Sequence, residues 1–238
     1  MGGGIFDSAI KFTIEEYNKF DKLVKENFIE NVDYLTPLRL DNKNSYGDYD
    51  LIVNDTEKFI NFFNSINFIK EIEVIFLFEK KYNLYSKHIL NINNHQIDLL
   101  KSWNEESMEI SRIFYSYCYA NIYLRRLLSQ VDSNLKLTFL GIICSSNKYV
   151  IPENVKNVKI DNNTRVIIDC KYLFDLIDLD YDRFINGFTD EFELLDYLKK
   201  SKYYKNIKFK KNSKFKHDYK RLDAFRNIVD KGLVIYEN

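Results

Sequence analysis

Between Thr13 and Lys101 the sequence switches repeatedly between helical and strand-like apolar spacing, and few architectures accept that order of elements. In TIEEYNKFDKLVKENF (13–28), Ile14, Tyr17, Phe20, Leu23, Val24 and Phe28 recur at three- and four-residue steps, the spacing of one helix face. Thr13 and Glu16 stand where a capping box starts such a helix. YLTPLRL (34–40), the polar turn DNKNSYG and DYDLIV (48–53) read as strand, turn and return strand. Asp55 or Thr56 caps a helix through EKFINFFNSINF, with Phe59, Ile60, Phe63 and Ile66 on one face. EVIFLFEK (73–80) is a strand, and KHILNI and HQIDLLK flank Asn93-Asn94, a two-residue hairpin turn. Residues 1–105 are therefore expected to form an α+β unit, a mixed sheet with helices packed on it.

The character changes after Trp103. NEESMEISRIFYSYCYANIYLRRLLSQV reads as one long aromatic helix, interrupted by DSN and Gly141, and TRVIIDCKYLFDLIDL moves from a short strand into a helix. TDEFELLDYLKKSKYY has a cap at Thr189 or Asp190 with Glu193 and ends in lysines, as a helix dipole prefers. A mainly helical subdomain over 106–200 and a basic C-terminal segment over 201–238 are the expected remainder. The chain is 45% apolar and 16% aromatic, ample for a core.

Several classes are set aside by what the sequence lacks. It has no uninterrupted apolar run of membrane-spanning length, and MGGGIFDSAIKF does not follow the basic-then-apolar order of a signal peptide. MGGG suits myristoylation, but Phe6 stands where that pattern needs Ser or Thr. Cys118, Cys144 and Cys170 form no CxxC pair, which points to free thiols in a reducing compartment. The expectation is a soluble, cytoplasmic protein with no membrane partner.

Net charge is zero but unevenly spread. From Lys199 onward there are 11 Lys and 2 Arg against 4 acids, which leaves 22 cations against 31 acids before that point. KKSKYYKNIKFKKNSKFKHDYKR interleaves cations with Tyr and Phe, as suits a phosphate backbone with bases free to stack. RNA along residues 199–226 is the expected partner; docking on the protein's own acidic body is the alternative.

The stretch NSYGDYDLIVND (44–55) carries the chemistry. On a strand, residues two apart project to one face, so Asp48 and Asp50 point together at one spot. Carboxylates held side by side repel unless a cation lies between them, and Mg²⁺ is a hard, oxygen-seeking ion of the right kind. Gly47 leaves room for a phosphate chain near the backbone, and Lys43, Asn44 and Ser45 could donate to its oxygens. Asp98, an acid between Ile97 and Leu99, is the third carboxylate, since mid-strand acids are disfavoured without a purpose. The second D-Y-D, Asp180 and Asp182, lies at a helix start and reads as a cap.

A small-residue turn, a hydrophobic-flanked D-x-D strand and a later strand with one acid resemble the polymerase-β-type nucleotidyltransferase superfamily; SYGDYDLIV and QIDLL carry the likeness. A closer resemblance is to small nucleotidyltransferase-like proteins of phages and large DNA viruses. It rests on GGGIF, KNSYGDYD, LKLTFLGI, LDYDRFINGF and YKRLDAF. The superfamily's usual Gly-Ser pair is replaced by Ser45-Tyr46-Gly47. The resemblance implies a nucleotidyltransferase-like fold and catalytic Asp48, Asp50 and Asp98 holding two Mg²⁺ (or Mn²⁺) ions. The nucleoside triphosphate, ATP being expected, would lie near Ser45 and Gly47 with Lys43 beside it.

The expected activity is template-independent transfer of a nucleoside monophosphate to an acceptor hydroxyl, an RNA 3′ end in the manner of poly(A) polymerases. The alternatives are a non-catalytic nucleic-acid-binding protein on the same fold, or a toxin-like enzyme that nucleotidylates a protein. Tyr115, Tyr117, Tyr119 and Tyr123 at helical spacing suit a core better than a base-stacking surface, and His95 reads as an exposed hairpin residue.

Overall fold

Side-chain caps set where the first helices begin. The computed structural model describes residues 6–40, 45–66, 74–78, 86–117, 120–145, 148–207, 209–210 and 236–237. After β1 (Phe12–Thr13), the Thr13 N–H donates to Glu16 Oε2 at 2.9 Å and the Glu16 N–H to Thr13 Oγ1 at 3.2 Å, starting α1 (Ile14–Asn27). Asp55 caps α2 (Thr56–Ser65), accepting from the N–H groups of Glu57 and Lys58 at 3.0 and 3.1 Å. The described residues are mixed α and β and divide into two units, one from residues up to 38, 42–116 and 138–141, the other from 39–41, 117–137 and 142 onward.

The first unit is built on a five-stranded sheet of β2 (Tyr34–Leu35), β4 (Tyr49–Val53), β5 (Val74–Phe78), β6 (Ser86–Ile92) and β7 (His95–Lys101). Its strand order is β2-β4-β7-β6-β5, and β4 and β7 run parallel while the other pairs are antiparallel. A short β3 (Ser45–Tyr46) pairs instead with β1. Asn93 and Asn94, at φ 51° and 63°, make the turn between β6 and β7, with Ile92 opposite His95. Positive φ at both central positions is what a two-residue hairpin turn requires, and Asn tolerates it.

The two faces of this sheet differ. Tyr49, Leu51, Val53, Leu90, Ile92, Ile97 and Leu99 share a core cluster with Val24 of α1, Phe28 just after it, and Phe59 and Phe63 of α2. On the other face α3 (Glu105–Tyr115) packs Met108 and Tyr115 against Leu35, Ile52 and Leu100. The period of two along β4 and β7 places Asp50 and Asp98 on that second face.

From residue 120 onward, in the second unit except for Thr138 and Gly141, lie α4 (Ala120–Val131), β8 (Lys136–Thr138), β9 (Gly141–Ser145), β10 (Asn157–Lys159), β11 (Thr164–Ile167), α5 (Cys170–Leu176), α6 (Tyr181–Ile185) and α7 (Glu191–Leu198). Two expectations are corrected here. The stretch read as one helix stops at Tyr115: the Ser116 hydroxyl donates to the Arg112 carbonyl at 2.7 Å and accepts the Leu38 N–H at 2.9 Å, and Tyr117 turns to φ 53°. A hydroxyl that satisfies the backbone in this way competes with the helix. The range 106–200 also holds, beside its helices, a sheet that the sequence reading did not foresee: β8 to β11 form four strands in the order β10-β11-β9-β8. Strands of three to five residues, such as those in LKLTFLGIICS, offer too few periods to be told from helix.

Tyr117, Phe174, Phe184, Phe188 and Tyr197 pack ring on ring within this unit, and Tyr117 and Tyr123 are buried, so these two tyrosines are core. Cys144 and Cys170 are buried free thiols, while Cys118 and Tyr119 lie outside the described residues. No helix among the described residues is long and apolar enough to cross a membrane. Most of the basic segment, residue 208 and residues 211–235, also lies outside the described residues; Phe209–Lys210 pairs in parallel with Tyr236–Glu237.

Candidate metal centre

Tyr49 sets the phase of the strand that carries two of the acids. Its ring is fully buried and meets Phe20 edge-on at 4.9 Å, and its hydroxyl donates to Asp21 Oδ1 at 2.7 Å. Burial, with the Asp21 carboxylate beside it, pushes the Tyr49 phenol well above its usual range, so it stays a donor. With Tyr49 locked into the helix-covered face, Asp48 and Asp50 on either side must project to the opposite one.

The parallel register then supplies the third acid. Asp50 stands directly beside Asp98, as Tyr49 does beside Ile97. Asp48, Asp50 and Asp98 each present a carboxylate oxygen, and these oxygens lie within 4.8 Å of one another. The trio could hold a metal ion: the donors are all hard oxygens, and oxygens on a single Mg²⁺ are at most about 4 Å apart, so a slight contraction suffices. Asp98 is the buried member and the other two are half-buried, which leaves the cluster one wet side.

Two further residues complete the arrangement. Lys87 Nζ is ion-paired with Asp98 Oδ2, and Gln96 Nε2 donates to Asp98 Oδ1 at 2.9 Å. Burial raises the Asp98 carboxyl above the usual range; Lys87 opposes this, Asp48 adds to it, and Gln96 pulls it down. Sequence reading missed both residues, although a signal was present. Given the Asn93-Asn94 turn, Ile89 must face Asp98, and Lys87 is then its diagonal neighbour on the same face.

The remaining residues singled out in the sequence divide. Gly47 lies in the bend between β3 and β4, next to Asp48, and Ser45 pairs through its backbone with Thr13. Lys43 lies outside the described residues. His95 is on the helix-covered face, stacked on Phe12 with centroids 4.1 Å apart and half-buried rather than exposed. The second D-Y-D is a cap as expected, Asp180 accepting the Arg183 N–H at 3.0 Å.

The arrangement has a consequence for stability. Asp50→Asn relieves like-charge crowding and is expected to leave the melting temperature unchanged or slightly raised. Asp98→Ala strips the Lys87 ammonium and the Gln96 amide of their acceptor and is expected to cost about 3 kcal/mol, the scale of a broken buried pair. Urea denaturation of both variants checks the contrast; equal losses would show that the trio is not held under repulsion.

No protein-family model matches the chain, and a search of curated proteins likewise finds no match.

Proposed function

We propose that the protein is a metal-dependent nucleotidyltransferase of the polymerase-β-like type, moving a nucleoside monophosphate from a triphosphate to an acceptor hydroxyl. The observation that carries this reading is the β4–β7 register, which sets Asp50 beside Asp98 with Asp48 in the same oxygen cluster. A structural role for three acids would not call for their convergence within one oxygen cluster.

Asp48, Asp50 and Asp98 would hold Mg²⁺ or Mn²⁺. When bound, such an ion lowers the pKa of the acceptor hydroxyl and neutralises charge on the leaving pyrophosphate. The acceptor hydroxyl gives up its proton to solvent and its oxygen forms a bond to the α-phosphorus as the bond from that phosphorus to the bridging oxygen breaks, releasing pyrophosphate. No side-chain nucleophile is required. Gly47, beside Asp48, leaves the backbone approachable for the triphosphate, and ATP is the nucleotide we favour. Gln96 and Lys87 hold the Asp98 carboxylate in orientation through both of its oxygens.

An RNA 3′ end is the acceptor we favour, because cations and aromatics alternate along the C-terminal segment. Leu198, Ser201 and Ile207 are buried, so a truncation that lowers the positive charge of the segment while keeping these three residues begins after Lys210 and removes residues 211–238. The test is incubation of the full chain with each α-labelled triphosphate, Mg²⁺ and total RNA or lysate, followed by separation of RNA from protein. Label in RNA, reduced by that truncation in a salt-sensitive way, is the expected result. Label in protein would assign a toxin-like role, and no label in either would leave a binding module.

A further inference from the structure

We propose that Arg112 of α3 is a phosphate-binding residue of the carboxylate site, its guanidinium fork taking oxygens of the metal-bound triphosphate. This rests on the function proposed above and names a residue that lies outside both the D-x-D strand and the segments that carry the family resemblance.

Two anchors place Arg112 along the sheet. Met108 packs with Ile52 and Leu100, which lie two residues beyond Asp50 and Asp98 on the same strand face. At the other end of α3, the Ser116 hydroxyl accepts the Leu38 N–H at 2.9 Å. Leu35 pairs with Ile52 on a strand antiparallel to β4, so Leu38, three residues further on, has moved back toward the Asp50 end. The helix therefore runs from the level of Ile52 toward that of Asp50, and Arg112 stands midway. It also faces the sheet. Arg112 comes four residues after Met108 and three before Tyr115, the two residues through which α3 meets Leu35, Ile52 and Leu100, so the helical period puts all three on one side.

The side chain is largely enclosed and has donors to spare. It is 18% exposed, and its Nε–H is buried without a hydrogen-bond partner. A buried donor left unpaired is the exception in folded proteins and calls for a reason, which a ligand reaching it supplies. Among the described residues its ion pair is Nη1 to Glu109 Oε2 at 3.5 Å, within one turn of the same helix and longer than a good hydrogen bond. Such a contact is weak enough for a phosphate with several anionic oxygens to take over the fork. A guanidinium presents its donors in one plane, matched to two oxygens of a phosphate group. A triphosphate held by a metal at Asp48, Asp50 and Asp98 would bring that group to the sheet face that Arg112 looks onto.

The test is calorimetric titration of the full chain with inorganic triphosphate in Mg²⁺, beside titration with Mn²⁺ alone read by electron paramagnetic resonance. The wild-type protein is expected to bind both. Arg112→Met is expected to bind Mn²⁺ as the wild type does and to lose about tenfold or more in triphosphate affinity, the weight of one hydrogen bond to a charged group. Arg112→Lys is expected to recover only part of the loss, because an ammonium lacks the fork. Circular dichroism checks that each variant is folded, and Arg112→Gln replaces Arg112→Met if the latter is not. A folded Arg112→Met that binds triphosphate like the wild type, or that loses Mn²⁺ and triphosphate alike, would overturn the role of Arg112 alone. Wild type without bound Mn²⁺, or Mn²⁺ binding that survives in Asp48→Asn/Asp50→Asn, would overturn the metal-centre reading and this inference with it.

Discussion

Asp48→Asn/Asp50→Asn is expected to lose at least about 10³-fold in transfer rate, the scale of removing a group that stabilises charge only in the transition state. Asp50 on β4 and Asp48 just before it each present a carboxylate oxygen to the Asp98 cluster, so their loss removes two of three carboxylates and leaves one already engaged by Lys87 and Gln96. The fold should persist, because neither residue belongs to the core cluster and Tyr49 keeps the phase of β4. The measurement is label transfer by wild type and variant at matched concentration, with circular dichroism and melting curves on both. A folded variant of undiminished rate would separate the acids from the chemistry. The second D-Y-D is the internal control: Asp182→Asn, in the first turn of α6, should leave transfer untouched.

Phe59→Ala is expected to be the most destabilising of single core changes in the first unit, by about 4 kcal/mol. Phe59 is fully buried, lies face to face with Phe28 at a centroid distance of 3.9 Å, and meets Tyr34 edge-on at 6.2 Å. Its removal deletes the ring that joins α2 to α1 and to β2 at once, and leaves a cavity that three elements would have to close. Because domains are stable by only about 5–15 kcal/mol, a loss of this size takes much of the reserve. Phe192, 42% exposed on α7, provides the comparison, since its truncation should change stability by no more than about 0.5 kcal/mol. Urea denaturation of both variants gives the two numbers. A cost below about 1 kcal/mol at Phe59 would mean that the α1–α2 face is not the core that positions β4.

What could be read from the sequence was mostly local. Thr13, Asp55 and Asp190 cap helices because a side-chain oxygen reaches an N–H only two or three residues away. Asn93-Asn94 needed only two residues to define its turn. The shared face of Asp48 and Asp50 follows from a period of two, and Asp98 joined them because an acid between strand residues is itself unusual. The break after Tyr115 was hidden because the Ser116 hydroxyl takes its second partner, the Leu38 N–H, from far along the chain. The small sheet of the second unit was hidden by the brevity of its strands. Lys87 was missed for a different reason: in a chain rich in lysine, one more lysine carries no signal until the hairpin register brings it to Asp98.

The pairing of Lys87 with Asp98 also bears on how the centre would work. An acid trio with no cation of its own would be held together only by the metal, whereas here part of the repulsion is already offset.

The measurement that tests the central claim most directly is anomalous diffraction from crystals grown with Mn²⁺ and a non-hydrolysable nucleoside triphosphate. The expected result is a Mn²⁺ peak among the carboxylates of Asp48, Asp50 and Asp98 with the triphosphate touching it. A triphosphate ordered elsewhere on the chain, with no peak at the trio, would contradict the account.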